Sequence, residues 1–342
     1  MDHGPRCLRV ARLENLMKGI TMKWRFARAL GLSLAIACAG ALADSFPTRP
    51  VRIIVPFAPG GNLDVTARIV AESMAKELGQ PFIVDNRPGA GGTIGSDAVA
   101  KAPPDGYTLV AGTTATSIVS PLLVPNPPYE LQSFAPIGMM AVTPLVLEVP
   151  AASPHKDFRS YVAYVRANPG KVTIGHSGNG TTNHVAILLM QDALKVNWNV
   201  IPYKGSGPAL VDLIGGQIDS MMDQTSSSLP QIQGGKLRAL AVGTRTRVAD
   251  LPNVPTLAEE GMKDFEAVTP SGLFAPAKTP ADVVGILNAA LNKALADPAI
   301  RKRLADLGSE VRPMSAEQFD QILKEEERKF KALARSGVLK GE

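Results

Sequence analysis

The sequence predicts an α/β fold, parallel sheets covered on both faces by helices and divided between two domains. Three observations predict it. Apolar runs, Gly-rich turns and amphipathic helical stretches alternate along most of the chain. The first run, VRIIVPF at 51–57, is almost continuously apolar, as a strand buried on both faces requires. The length is 342 residues, or about 299 once a leader is set aside, which suits two cores of ~150 residues better than one.

In order, the strand at 51–57 is followed by a helix from about Asp64 to Leu78, with Val65, Ile69, Met74 and Leu78 on one side. Gly79 and Pro81 supply its stop. A strand at 82–85, the turn NRPGAGG at 86–92, a short helix to Lys101 and a strand at 107–111 complete the first block. The second block repeats the logic. A strand at 172–174 enters GHSGNGTTNH, a helix runs from Asn183 to Leu194, and a strand at 198–203, a helix at 208–214 and strands at 218–222 and 237–242 follow. Two apolar segments, 137–149 and 272–276, lie between blocks and are expected to carry the chain from one domain to the other. The expected division is 44–145 with 266–342 as one domain and 146–265 as the other. The last seventy residues read as helical, and a charged stretch at 317–335 places Phe319, Ile322, Leu323, Phe330 and Leu333 on a packing stripe.

Residues 1–43 read as an address. Lys23, Arg25 and Arg28 precede an apolar stretch from Ala29 to Gly40 and the small-residue site Ala41-Leu42-Ala43, the pattern of a secretory signal, with Met22 as the expected start. The apolar stretch falls short of the ~20 residues a spanning helix needs. Of 36 basic residues the leader takes seven, and of 31 acidic residues two, so the exported chain is neutral. Its basic pI therefore says nothing of nucleic acid or anionic membrane. Both cysteines, Cys7 and Cys38, leave with the leader, so no disulfide staples the mature fold. Cys38 is an ordinary residue of the apolar stretch or, on the rival reading, a lipidated one.

Two turns carry the chemistry. In PFAPGGNLDVTAR, Gly60-Gly61 let the backbone approach a ligand, and the free N–H groups of the following helix make an anion seat. No lysine follows as in a phosphate loop, and the spacing is not a dinucleotide GxGxxG. Asp64 reads as a cap on its own helix, with a ligand role as the alternative. In GHSGNGTTNH, Ser177, Thr181 and Thr182 add hydroxyls to a second glycine-opened helix start. His176 and His184 read as packed or capping residues with no metal spacing, and Asn179 breaks the G-x-S-x-G pattern at Ser177. Asp223 and Tyr203 stand at the ends of predicted strands, the edge where ligands sit in α/β sheets. Asp223 either caps the next helix or accepts from an ammonium, hydroxyl or water at the ligand.

The blocks FPTRPVRIIVPFAPGGNLDVTAR, NRPGAGGTIGSDAVAKAPPDGYTL, SGNGTTNH, PYKGSGPALVDLIGGQIDSMMD, GKLRALAVGTRTRVADLPNVPTLAEEG and GLFAPAKTP resemble, in order, the Bug/TctC family of periplasmic receptors of tripartite tricarboxylate transporters. The resemblance implies a type II periplasmic-binding-protein (Venus flytrap) fold: two α/β domains joined by two crossover strands. It also implies a non-enzymatic receptor that closes on a small organic carboxylate and delivers it to membrane permease subunits. Carried over, the gripping residues are Phe57, Pro59, Gly60, Gly61 and Asp64, then Ser177, Gly180, Thr181 and Thr182, with Asp223 on a third face. Thr113, Thr114 and Thr116 add polar contacts; Tyr203, from its strand-end position, is expected to line the pocket. Two departures stand on presumed pocket walls. Thr269-Pro270-Ser271 replaces an aromatic pair, and TTATSIVSP lacks a histidine. Dicarboxylates are the first expectation for the cargo, amino-acid or aromatic acids the next. No cofactor, metal or nucleic acid is expected, and the receptor is expected as a monomer. A sensory receptor and a hydrolase using Ser177, His184 and Asp223 are the rival classes.

Overall fold

The computed structural model describes residues 46–123 and 126–335. The leader with Met22, Cys7 and Cys38, residue Asp44 and the side chain of Leu333 lie outside the described residues. All elements named here fall within the unit Arg49–Glu342.

Strand β1 (Val51–Val55) leads through the Gly-Gly turn into α1 (Asn62–Leu78), then β2 (Phe82–Asn86), α2 (Thr93–Ala100) and β3 (Thr108–Thr113). The 17-residue β4 (Phe134–Pro150) follows. Then come α3 (Phe158–Ala167), β5 (Thr173–His176), α4 (Thr182–Leu194), β6 (Asn199–Pro202), α5 (Ser206–Ile214), β7 (Ser220–Gln224), α6 (Thr225–Gln233) and β8 (Leu237–Val242). Strand β9 (Val268–Pro276) and helices α7 (Ala281–Ala296), α8 (Pro298–Ala305) and α9 (Ala316–Arg335) end the described chain.

The strands run β2-β1-β3-β9-β4-β7-β5-β6, with β8 also on β4. Pairing is parallel at β1–β2, β1–β3, β5–β6 and β5–β7, as alternating β and α units require. It is antiparallel wherever β4 or β9 takes part, so the sheets are mixed rather than purely parallel. The reason is connectivity. Residues 134–144 of β4 pair with β9, and from Leu145 onward β4 pairs with β7 and β8. One continuous strand thus serves two α/β lobes. The return runs beside it, where Leu145 N donates to Ala267 O just before β9 begins.

Each lobe has its own core. Ile54, Val110, Ile118, Phe134, Met139 and Phe274 form one, closed by Phe319 and Leu323 of α9. Ile322 on that helix stays 37% exposed, outside the expected stripe. Leu147, Tyr161, Val165, Ile174, Ile187, Met190 and Trp198 form the other, where Trp198 Nε1 donates to Tyr161 Oη at 2.8 Å. Helix α1 is buried on more than the expected stripe, through Leu63, Ala67 and Val70 as well as Ile69 and Met74, because α6, α7 and α8 all pack on it. Gly79 ends it at φ +67°, its N–H bonded to Ala75 O. Helices α3 and α6 lie where the pattern gave no helix. Asp157 caps α3 by accepting from Ser160 N at 2.8 Å, and α6 forms despite Pro230 within it.

Candidate functional site

Four helix starts meet between the lobes. The cavity there is lined by Gly61, Asn62 and Leu63 at the start of α1, Thr181, Thr182 and Asn183 at α4, Ser206 at α5 and Gln224 at α6, with Phe57, Thr113 and Ser177 completing the wall. None of these eleven residues is Lys, Arg, Asp or Glu. The void is about 350 Å³ including its mouth, of which about 30 Å³ is space where a water's centre can sit. That space has room for about two waters. The dipoles of four helix ends, whose first N–H groups have no partner within their own helix, make it an electropositive pocket without a cation.

Of the residues expected here, Phe57, Gly61, Thr113, Ser177, Thr181 and Thr182 line the cavity. Asp64 does not. It is 5% exposed, and its carboxylate accepts from Gly60 N at 2.9 Å, Arg68 Nε at 3.0 Å and Asn86 Nδ2 at 3.0 Å. Burial pushes this carboxyl up, but the bonds from Arg68, Gly60 and Asn86 together hold it below the usual range. Gly60 sits at φ +84°, where a side chain is strained, so that its N–H can turn back to Asp64. Asp64 thus shapes the seat from behind. Asp64→Ala is expected to cost about 2 kcal/mol of folding stability at neutral pH. Because the folded pKa is depressed, the contribution exists above the unfolded value of 3.8 and fades as pH falls through the folded one. Urea unfolding of both proteins at pH 7 and pH 3 checks both statements.

The hydroxyls of the second turn are mostly engaged within the protein. Ser177 Oγ donates to Asn183 Oδ1 at 2.9 Å, with no histidine as its base. Thr181 Oγ1 donates to Gly178 O at 2.6 Å and accepts from His184 N as the cap of α4. Gly180 presses on Ser120 of the facing lobe, where a Cβ would stand 2.9 Å from its Oγ. Thr181→Val is therefore expected to lower stability by about 1 kcal/mol through the lost cap, a change a thermal melt registers without any ligand.

His176 and His184 support the same turn. Their rings stack at 4.6 Å, and their Nδ1 atoms accept from Gly178 N and Gly180 N. Burial, then the neighbouring His184, pushes His176 down to about 3, so it is neutral at physiological pH. Thr113 and Thr116 bond each other's backbone N–H at 2.9 and 3.1 Å, which fixes the loop after β3, and Thr114 is buried beside them. Pro59 lies against Gly207 of α5, and Ala58 N donates to Lys204 O at 2.9 Å, so the first turn touches the other lobe. Tyr203 Oη donates to Asp212 Oδ2 at 2.7 Å on α5, and the structure does not bring it to the cavity.

Asp223 lies beneath the floor, fully buried. Ser206 Oγ donates to it, as do Ser227 Oγ at 2.5 Å and Asn183 Nδ2 at 3.3 Å. Ser228 Oγ stands 3.0 Å from it and 2.7 Å from the buried Glu148. The lining residues that sequence reasoning missed are Asn62, Leu63, Asn183, Ser206 and Gln224. Ser206 and Gln224 had a signal, because each opens a helix after a strand, and SGP and DQTSSS are polar helix starts. Thr269, expected on a pocket wall, is 1% exposed and accepts from Gln224 Nε2 at 3.1 Å, so it reaches the cavity only through that amide.

The model of the tripartite tricarboxylate transporter family receptor, TctC, matches residues 66–338. The chain belongs to the TctC family. It is 39% identical to the periplasmic binding protein BugD, whose structure covers 86% of this chain and all of its own at a TM-score of 0.82. MatC from Rhodopseudomonas palustris, solved with bound malate, is 36% identical, with 84% of this chain and all of that one covered, at a TM-score of 0.81. A second R. palustris protein, solved with adipate, is 31% identical over 87% of this chain and all of that one, at 0.83. This TctC receptor accordingly has the type II periplasmic-binding-protein fold. It is a periplasmic solute-binding receptor rather than an enzyme.

Proposed function

We infer that this receptor captures a small organic carboxylate between its lobes and delivers it to the permease subunits of a tripartite tricarboxylate-type transporter. The observation that carries the reading is the cavity itself: four helix starts aim partial positive charge into it, and no ion pair is needed to hold an anion. Uncharged donors suit a receptor that must also let its cargo go. Two relatives solved with malate and with adipate point to dicarboxylates. The site comprises Phe57, Gly61, Thr113, Ser177, Thr181 and Thr182, with Asn62, Asn183, Ser206 and Gln224 added to the expected set. The lobes divide as 44–145 with 266–342, and 146–265. Residues 1–43 act as the export signal, cleaved after Ala43.

A thermal-shift screen of the chain from Asp44 against mono- and dicarboxylic acids tests the reading, since a cargo that binds only the folded form raises its melting temperature by mass action. Dicarboxylates are expected to raise it most. A screen in which no acid shifts the melt, while a cationic or neutral solute does, overturns it.

A further inference from the structure

We propose that Asn62 is the specificity-determining residue of the cleft, reading an oxygen of the bound acid through its amide N–H groups while its carbonyl latches the two lobes. The inference rests on the carboxylate-receptor reading and deepens it. Asn62 lines the cavity and is 4% exposed. Its Oδ1 accepts from Ser226 Oγ at 2.7 Å, and Ser226 belongs to α6 on the opposite lobe. Its Nδ2 is buried with no partner among the described residues. A buried amide N–H without an acceptor is rare, and one in the wall of a ligand cavity marks where an acceptor goes.

Apart from the half-buried Thr182, the other polar side chains of the wall are engaged within the protein. Ser177 donates to Asn183, Thr181 to Gly178 O, and Ser206 to Asp223. Asn183 Nδ2 is taken by Met222 O at 2.8 Å, and Gln224 Nε2 by Asn183 and Thr269. Acceptors are scarcer still. Asp223, which the sequence offered as a seat for an ammonium, is buried under its own serines and faces none of the cavity. A cargo ammonium entering this wall meets four helix N-termini and no carboxylate, which is repulsive. The cargo class that fits is an acid with a second oxygen acceptor, a carboxylate, carbonyl or hydroxyl oxygen, and without a charged amine.

Calorimetric titration of malate, succinate and adipate, with aspartate and 2-aminoadipate as the aminated counterparts, tests this on the mature chain and three variants. The wild type is expected to favour its best unaminated acid at least 100-fold over the aminated form. Asn62→Asp keeps the shape but replaces the donors with a carboxylate, and is expected to weaken the unaminated acid at least 100-fold and shrink or reverse the preference. Asn62→Ala, which asks less of the fold, is expected to lose the preference by at least tenfold. Ser226→Ala breaks only the latch and is expected to weaken all acids about equally, with the preference kept. A preference unchanged in both Asn62 variants, or a wild type that binds aminated and unaminated acids alike, overturns the role of Asn62 and leaves the carboxylate receptor standing. A wild type that binds none of the five overturns the receptor reading and this one with it.

Discussion

Gly207→Ala is expected to lower cargo affinity about 100-fold while leaving the unliganded protein at least as stable as the wild type. Gly207 is the second residue of α5, with no positive φ to defend, so alanine suits its backbone and favours the helix by up to about 1 kcal/mol. The obstacle lies across the cleft. A Cβ there would stand 2.2 Å from Pro59 O and 3.3 Å from Pro59 C, both backbone atoms of the opposite lobe. No side chain can swing aside to relieve that overlap, and the neighbouring bond from Ala58 N to Lys204 O at 2.9 Å holds the two turns together. With the lobes apart the clash vanishes, so its whole cost falls on the closed form. Apparent affinity scales with the fraction of protein able to close, and a closing penalty of about 3 kcal/mol reduces it about 100-fold. Calorimetry with the best acid from the screen, beside a melt of the unliganded variant, separates the two effects. Unchanged affinity would mean that cargo binds without this approach of the turns. A melt that falls together with affinity would place the clash inside the unliganded fold.

The same residues show how much was legible in the sequence. The βα order of both lobes was readable because apolar runs and glycine turns are local signals, and 237–242 matches β8 residue for residue. Asn62 was invisible for a different reason. Its neighbours Gly60, Gly61 and Asp64 are recognisable by type, whereas Asn62 matters through Ser226, 164 positions away, and no spacing rule links the two. Thr181 carries two local signals at once. It lines the cavity as expected, but a threonine before a helix is also a good cap, and the structure gives its hydroxyl local bonds to Gly178 O and His184 N. Helix α6 escaped notice because three serines and a proline are poor helix formers. Ser227 and Ser228 are there for the two buried carboxyls, which they solvate in place of water, while Ser226 donates to Asn62.

Glu148→Gln is expected to make the protein more stable at neutral and alkaline pH and to flatten the pH dependence of its unfolding. Glu148 on β4 is fully buried, and its Oε2 has no partner among the described residues. Burial, then the charge of Asp223, pushes its carboxyl well above 4.5, against the one opposing bond from Ser228. Proton counting agrees. Ser228 has a single hydroxyl proton and stands 2.7 Å from Glu148 and 3.0 Å from Asp223, so it cannot donate to both. Asp223 collects further donors from Ser206, Ser227 and Asn183, which makes Glu148 the protonated partner and completes a chain from Glu148 through Ser228 to Asp223. A carboxyl whose pKa is raised by folding contributes stability that is full below its unfolded value of 4.5 and is lost as pH rises through the folded one. A glutamine holds the donor position without a proton to lose, since its Nε2 can donate to Ser228 as the acid does. Urea unfolding is therefore expected to show the two proteins alike near pH 4.5 and the variant ahead by about 1–3 kcal/mol at pH 8, the scale of a desolvated polar group. Parallel stability curves from pH 4.5 to 8 would mean that Glu148 keeps the same charge in the folded and unfolded chain, and the buried proton would have to be abandoned.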